Sequence, residues 1–82
     1  MITDYKGLKA VVTGAANGIG KAFALGLAKR GADVIVADIH PDEAELVAQE
    51  IRAMGRQAFA VGADVSLKAD CRKIFDETMR AF

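Results

Sequence analysis

Three glycines fall within seven residues in the stretch Thr13-Gly14-Ala15-Ala16-Asn17-Gly18-Ile19-Gly20. An apolar, β-branched run precedes them and a helical pattern follows. This junction constrains the chain more than any other feature, because a strand that turns through glycines into a helix starts a β-α unit. Leu8 to Thr13 reads as a short buried strand, and Gly18 to Arg30 as a helix ended by Lys29, Arg30 and Gly31. Asp33 to Asp38 repeats the strand pattern. Pro41 then stands at a first helical position, with Asp42, Glu43 and Glu45 where a helix dipole favours negative charge. Gly55 closes that helix. Gln57 to Val61 is a third strand, and Ser66 is placed to cap a last helix from about Leu67 to the end.

The order β-α-β-α-β-α with short connections predicts an α/β fold: a three-stranded parallel sheet, strand order 3-2-1, covered by helices. Right-handed crossovers put the first two helices on one face and leave the other to the last helix. Periodicity assigns Ile19, Ala22, Phe23 and Leu27 to the inner face of the first helix, and Ala44, Val47, Ile51 and Met54 to that of the second. Cys71, Ile74, Phe75, Thr78, Met79 and Phe82 fall on one side of the third. With 82 residues the chain is expected to be a single unit over 1–82.

The chemistry of the turn follows from its parts. A helix N-terminus presents unpaired N–H groups and a partial positive charge, which together attract anions. Glycines let the backbone turn sharply and let a pyrophosphate come close. Asp38 ends the second strand twenty positions after Gly18. A carboxylate there can accept hydrogen bonds from the adenosine ribose of NAD. Two other glycine motifs are excluded by their letters. A Walker A loop would need Ser or Thr where Ala22 stands and glycine where Ala15 stands, and G-x-G-x-x-G would need glycine at Phe23. The spacing is instead G-x-x-x-G-x-G.

That spacing, preceded by Thr13, resembles the short-chain dehydrogenase/reductase family. Gly31-Ala32-Asp33-Val34 and Ala63-Asp64-Val65-Ser66 are also similar to it. The resemblance implies a partial Rossmann fold and a role for each matching position. Gly14, Gly18, Ile19 and Gly20 would line the pyrophosphate and its neighbouring ribose, and Asn17 would sit on the adenosine ribose side. Asp38 would hold the ribose, with Ile39 against the adenine. Asp64 would take the adenine amino group, and Val65 would pack on the ring. Thr13 would brace the turn. NAD is expected over NADP, because a 2′-phosphate would meet Asp38 and no Arg or Lys stands at Ala16, Asn17 or Ile39.

The family's chemistry uses a Ser and a Tyr-x-x-x-Lys pair on later elements. The one tyrosine, Tyr5, precedes the first strand and is expected to be peripheral. The chain is therefore expected to be about a third of the family's plan, an NAD-binding portion of an oxidoreductase with no catalytic residue of its own. The alternative is a stand-alone, non-catalytic or self-associating half-Rossmann module. A methyltransferase-like domain fits less well, since it would usually show an acidic residue just before the glycines, where Ala10-Val11-Val12-Thr13 stand. His40 is expected to be a surface turn residue, and Cys71, Met54 and Met79 to be core.

Eleven basic residues balance eleven acidic ones, which gives no reason to expect nucleic acid or an anionic membrane as a partner. A single cysteine and the lack of a signal peptide or long apolar run point to the cytoplasm. The first strand would be an apolar sheet edge without the family's fourth strand, so homodimerisation through that edge or the less covered sheet face is expected.

Overall fold

A computed structural model describes residues 7–82. Tyr5 lies outside the described residues. The order is β1 (Lys9–Thr13), α1 (Gly18–Lys29), β2 (Asp33–Asp38), α2 (Pro41–Ala53), β3 (Ala58–Gly62) and α3 (Lys68–Ala81). The strands form one parallel sheet ordered β1-β2-β3, the expected 3-2-1 order read from the opposite edge.

The central strand explains its own sequence. β2 is covered on both faces, and Val34, Ile35, Val36 and Ala37 are all buried. A parallel strand sandwiched by helices is apolar along its length rather than alternating. Its polar ends serve the neighbours. At the start, the Asp33 carboxylate accepts from the Gln57 N–H (2.9 Å) and from Lys9 Nζ (3.3 Å), so it ties both flanking strands to β2. The Gln57 bond, more than Lys9, holds the Asp33 carboxyl below its ordinary range against the opposing effect of burial.

The two sheet faces carry separate cores. Val12, Val34, Val36 and Ala58 pack with Ala24 and Ala28 of α1 and with Ala44, Val47, Ala48 and Ile51 of α2. Helices α1 and α2 thus share a face, as expected. Ile35, Ala37, Val61 and Ala63 pack with Ile74 of α3, joined by the half-buried Ala81 and Phe82. Phe82 meets Phe59 edge-to-face at 5.8 Å, with Lys9 Nζ 5.0 Å from its ring.

Both α1 and α2 stop in the same way. Gly31 and Gly55 take φ of 105° and 85°, a region that favours glycine. Their N–H groups donate to Ala28 O and Arg52 O, and the next N–H groups, of Ala32 and Arg56, reach back to Leu27 O and Ile51 O. This is the Schellman pattern, which satisfies carbonyls that a helix end leaves open.

Several inward assignments are corrected. Ile19 is 89% exposed and Phe23 61%, and Ala22 is exposed too; α1 presents Ala24 and Ala28 to the sheet instead. Met54 is exposed at the end of α2. Cys71, Phe75 and Met79 lie on the outer side of α3, and the Cys71 thiol donates to Val65 O at 3.2 Å. Ser66 does not cap α3. Leu67 holds that position without a side-chain cap, because the Ser66 hydroxyl and N–H both donate to Asp64 Oδ1, at 2.6 and 2.9 Å.

Candidate functional site

The glycine turn is fastened to the end of β2. Ala15 N–H donates to Ala37 O (3.1 Å), and the buried Ala16 N–H donates to Asp38 Oδ2 (3.0 Å). Gly14 and Gly18 have φ of 63° and 61°, so the turn needs glycine at both. Gly20 is glycine for a different reason. A Cβ there would fall 2.1 Å from Gly14 O, so its bare backbone is what lets α1 start against the turn. Asn17, in extended conformation, occupies the N-cap without donating or accepting a side-chain cap bond, and the first turn of α1 carries no acidic residue. The helix therefore points an uncapped, uncountered N-terminus at whatever lies beyond the turn.

Asp38 is the only buried acidic side chain among the described residues, at 8% exposure. Burial pushes its carboxyl up. Bonds from the His40 N–H (3.0 Å), the Ala16 N–H and the His40 ring (Nδ1 to Oδ1, 3.1 Å) outweigh that and hold it below the ordinary 3.8. Next to it, Ala63 N–H donates to Asp38 O at 2.9 Å, which carries the loop after β3 to the same end of the sheet. Gly62 has no Cβ, which leaves room for Pro41 at the start of α2; a Cβ would meet the proline at 2.9 Å.

A cleft of about 300 Å³ results, lined by Gly14, Asn17, Asp38, Ile39, His40, Ala63 and Val65. It lies at the carboxyl ends of the strands, where open α/β sheets place ligands. Five of the nine residues expected from the sequence meet there: Gly14, Asn17, Asp38, Ile39 and Val65. Gly18, Ile19 and Gly20 form the first turn of α1 and are not in its lining. Asp64 lines an adjoining cleft with Ile39, Ala63, Asp70 and Lys73. Its carboxylate is held by Ser66 and lies below the ordinary range for that reason, the side-chain bond contributing most.

His40, expected as a surface turn residue, is exposed in the turn before Pro41 and also lines the cleft. Its backbone and ring both bond to Asp38, and its ring also lies 3.6 Å from Glu43 Oε2. The signal was present: an Asp whose carboxylate accepts the N–H two residues on is a common turn, so Asp38-Ile39-His40 could have been read as one unit. Ala16, which anchors the turn through its N–H, carries no side-chain signal at all.

A larger hollow lies elsewhere. About 490 Å³ opens between α2, β3 and α3, lined by Glu45, Arg52, Phe59, Ala60, Val61, Glu77, Arg80 and Ala81. Its charges are matched in pairs, Arg52 with Glu45 at 2.7 Å and Arg80 with Glu77 at 3.1 Å. It offers no convergent set of polar groups comparable to the glycine turn and Asp38. No helix among the described residues is long and apolar enough to cross a membrane, and no group of three or more His, Cys, Asp or Glu could hold a metal ion there.

Known proteins place this arrangement. The family model described as short chain dehydrogenase matches residues 8–82. The chain is 41% identical over 80 residues to 11-beta-hydroxysteroid dehydrogenase A of Sesamum indicum, covering 96% of this chain and 23% of that protein. It is 46% identical over 77 residues to versicolorin reductase 1 of Aspergillus parasiticus, covering 93% and 29%. Among solved structures, 7 alpha-hydroxysteroid dehydrogenase complexed with NADH and 7-oxo glycochenodeoxycholic acid superimposes with a TM-score of 0.93 at 37% identity, over 96% of this chain and 31% of that one. The chain thus spans between about a quarter and a third of the length of these relatives. By sequence and by fold, it belongs to the short-chain dehydrogenase family.

Proposed function

We propose that this chain is the NAD-binding portion of a short-chain oxidoreductase, one dinucleotide-binding unit over residues 1–82 that supplies no catalytic residue itself. The observation that carries this is the buried Asp38 carboxylate at the rim of the cleft, facing the uncapped start of α1 across the glycine turn. The donor set fits the group: positive N–H dipoles for a pyrophosphate and a fixed anion for ribose hydroxyls. A relative of the same fold is complexed with NADH, which supports a nicotinamide cofactor here.

In this reading the backbone of Gly14, Gly18, Ile19 and Gly20 holds the pyrophosphate and the ribose beside it. Asn17 flanks the adenosine ribose, and Asp38 accepts from its hydroxyls. Ile39 and Val65 enclose the adenine, and Asp64 takes its amino group. When bound, the nicotinamide would give or accept the hydride exchanged with an alcohol or carbonyl in the complete family. The 82 residues contribute binding and orientation, since Tyr5 is their one tyrosine and no Tyr-x-x-x-Lys occurs.

NAD is the preferred form. The 2′-phosphate of NADP would approach a carboxylate that is ionised at neutral pH, with no Lys or Arg at Ala16, Asn17 or Ile39 to balance it. Calorimetric titration of the chain with NAD and with NADP tests both points. Tighter binding of NAD, lost in Asp38→Ala, is expected; tighter binding of NADP would overturn the assignment of Asp38. A cytoplasmic location and a homodimer formed through β1 or the α3-side sheet face belong to the same proposal.

A further inference from the structure

The Asp38 carboxylate has about four acceptor positions. Three are used inside the protein: Oδ2 by the Ala16 N–H, and Oδ1 by both the backbone N–H and the ring Nδ1 of His40. Two of these donors are backbone groups fixed by the turn and by the start of α2. The ring is different. The His40 side chain is 59% exposed and lines the cleft itself. A ribose diol brings two hydroxyl donors to a carboxylate that has one position open among the described residues, so it needs the position that the ring holds.

We propose that His40 is a proton-operated gate on the ribose carboxylate: its ring occupies Asp38 until NAD displaces it, and it does so more firmly when protonated. The proposal rests on the NAD site described above. Asp38 faces the ring from β2 and Glu43 from α2. The other elements around the cleft present Gly14, Asn17, Ala63 and Val65, none of which titrates. Asp64, Asp70 and Lys73 line the adjoining cleft. The ring thus has two carboxylates within 4 Å, and a charged imidazolium binds them more strongly than a neutral one. Linkage fixes the sign. A proton on His40 disfavours NAD, and NAD in turn disfavours the proton, so binding to the protonated protein releases protons.

The test is the dissociation constant of NAD for the wild-type chain and for His40→Asn from pH 8 to pH 5.5, with calorimetry in buffers of different ionisation enthalpy. The wild type should bind about three- to fivefold more weakly at pH 5.5 than at pH 8, as expected for a half-exposed ion pair, and should release a fraction of a proton on binding within that range. His40→Asn should show a flat profile and no such release. Circular dichroism at each pH checks that both proteins stay folded. In the free wild-type protein, the imidazole ¹⁵N shifts at pH 8 should show the proton on Nδ1, and Asp38→Ala should abolish that preference. Parallel pH profiles in the two proteins would overturn the gate alone. Wild-type affinity that rises at low pH would also overturn it, since His40⁺ would then be attracting the pyrophosphate rather than guarding Asp38. Absence of NAD binding at every pH in both proteins would overturn the NAD site, and the gate with it.

Discussion

Asp38 is the residue on which fold and site most depend, and they depend on it for different reasons. Replacing it with alanine leaves the buried Ala16 N–H without an acceptor and loosens the glycine turn. An orphaned buried donor costs about 1–3 kcal/mol, so urea unfolding of Asp38→Ala should show a loss of about 2 kcal/mol at pH 7. The pH dependence follows from the direction of its shift. Its folded carboxyl ionises below the ordinary 3.8, so the unfolded chain binds more protons around and below pH 4. The stability that it contributes is present at neutral pH and is lost as pH falls through its folded value. The gap between wild type and Asp38→Ala should therefore shrink below about pH 4. A gap that stays constant to pH 3 would show that the ionised carboxylate is not what holds the turn. Gly20→Ala makes a second residue-scale case. Its Cβ would meet Gly14 backbone rather than a yielding side chain, so the turn or the helix must shift. It should cost more than about 2 kcal/mol, well above the usual helix gain from Gly to Ala of ~1 kcal/mol.

At the scale of elements, boundaries were easier to read than faces. The stops of α1 and α2 and the start of α2 follow from Gly31, Gly55 and Pro41, residues whose backbone effects are local and so visible in sequence. The strands were placed within a residue at each end. The faces were harder because α1 is apolar nearly all round, and a 3.6-residue period then picks out the largest side chains rather than the buried ones. What decides the face is distance. Ala24 and Ala28 let α1 approach the sheet, and Gly20 lets it start against the turn, while Phe23 and Ile19 are turned out. That depends on tertiary spacing, which a single helix does not encode. In α3, Leu67, Cys71, Phe75 and Met79 recur every four residues yet all face outward, while Ile74 and Phe82 reach the sheet. The contrast can be measured in α1. Phe23→Ala should change stability by no more than about 0.5 kcal/mol, as an exposed substitution does. Ala24→Leu should cost about 1–3 kcal/mol by overpacking against β2. The reverse order in denaturant unfolding would restore the face that periodicity alone suggests.

For the whole molecule the question is what a three-stranded sheet does with its edges. Parallel sheets are normally covered on both faces and continued or shielded at the sides. Here β1 is an outer strand among the described residues, and its length is not guarded by proline or by a bulge. Lys9 is its one charged residue, and that charge is drawn to Asp33 and over Phe82. Val11 is 43% exposed on the same side as the half-covered Phe59, and Leu8, just before the strand, is exposed as well. A net charge of zero adds no long-range repulsion between copies. A chain of this size buries only about 60–65% of its unfolded surface, so further burial by association is worth proportionately more to it. The 82 residues expressed by themselves should therefore associate at micromolar concentration. Light scattering should give a mass above that of one chain, falling on dilution. Val11→Lys should shift that balance toward the monomer, because a charge at an edge disfavours pairing while its alkyl stem can still cover Ile35. If association is unchanged by Val11→Lys but lost in Phe75→Lys, the contact runs through the outer face of α3 instead. A well-folded monomer in both the wild type and the variant would show that the open edge is tolerated in solution, and would remove the homodimer from the proposed function while leaving the cofactor site intact.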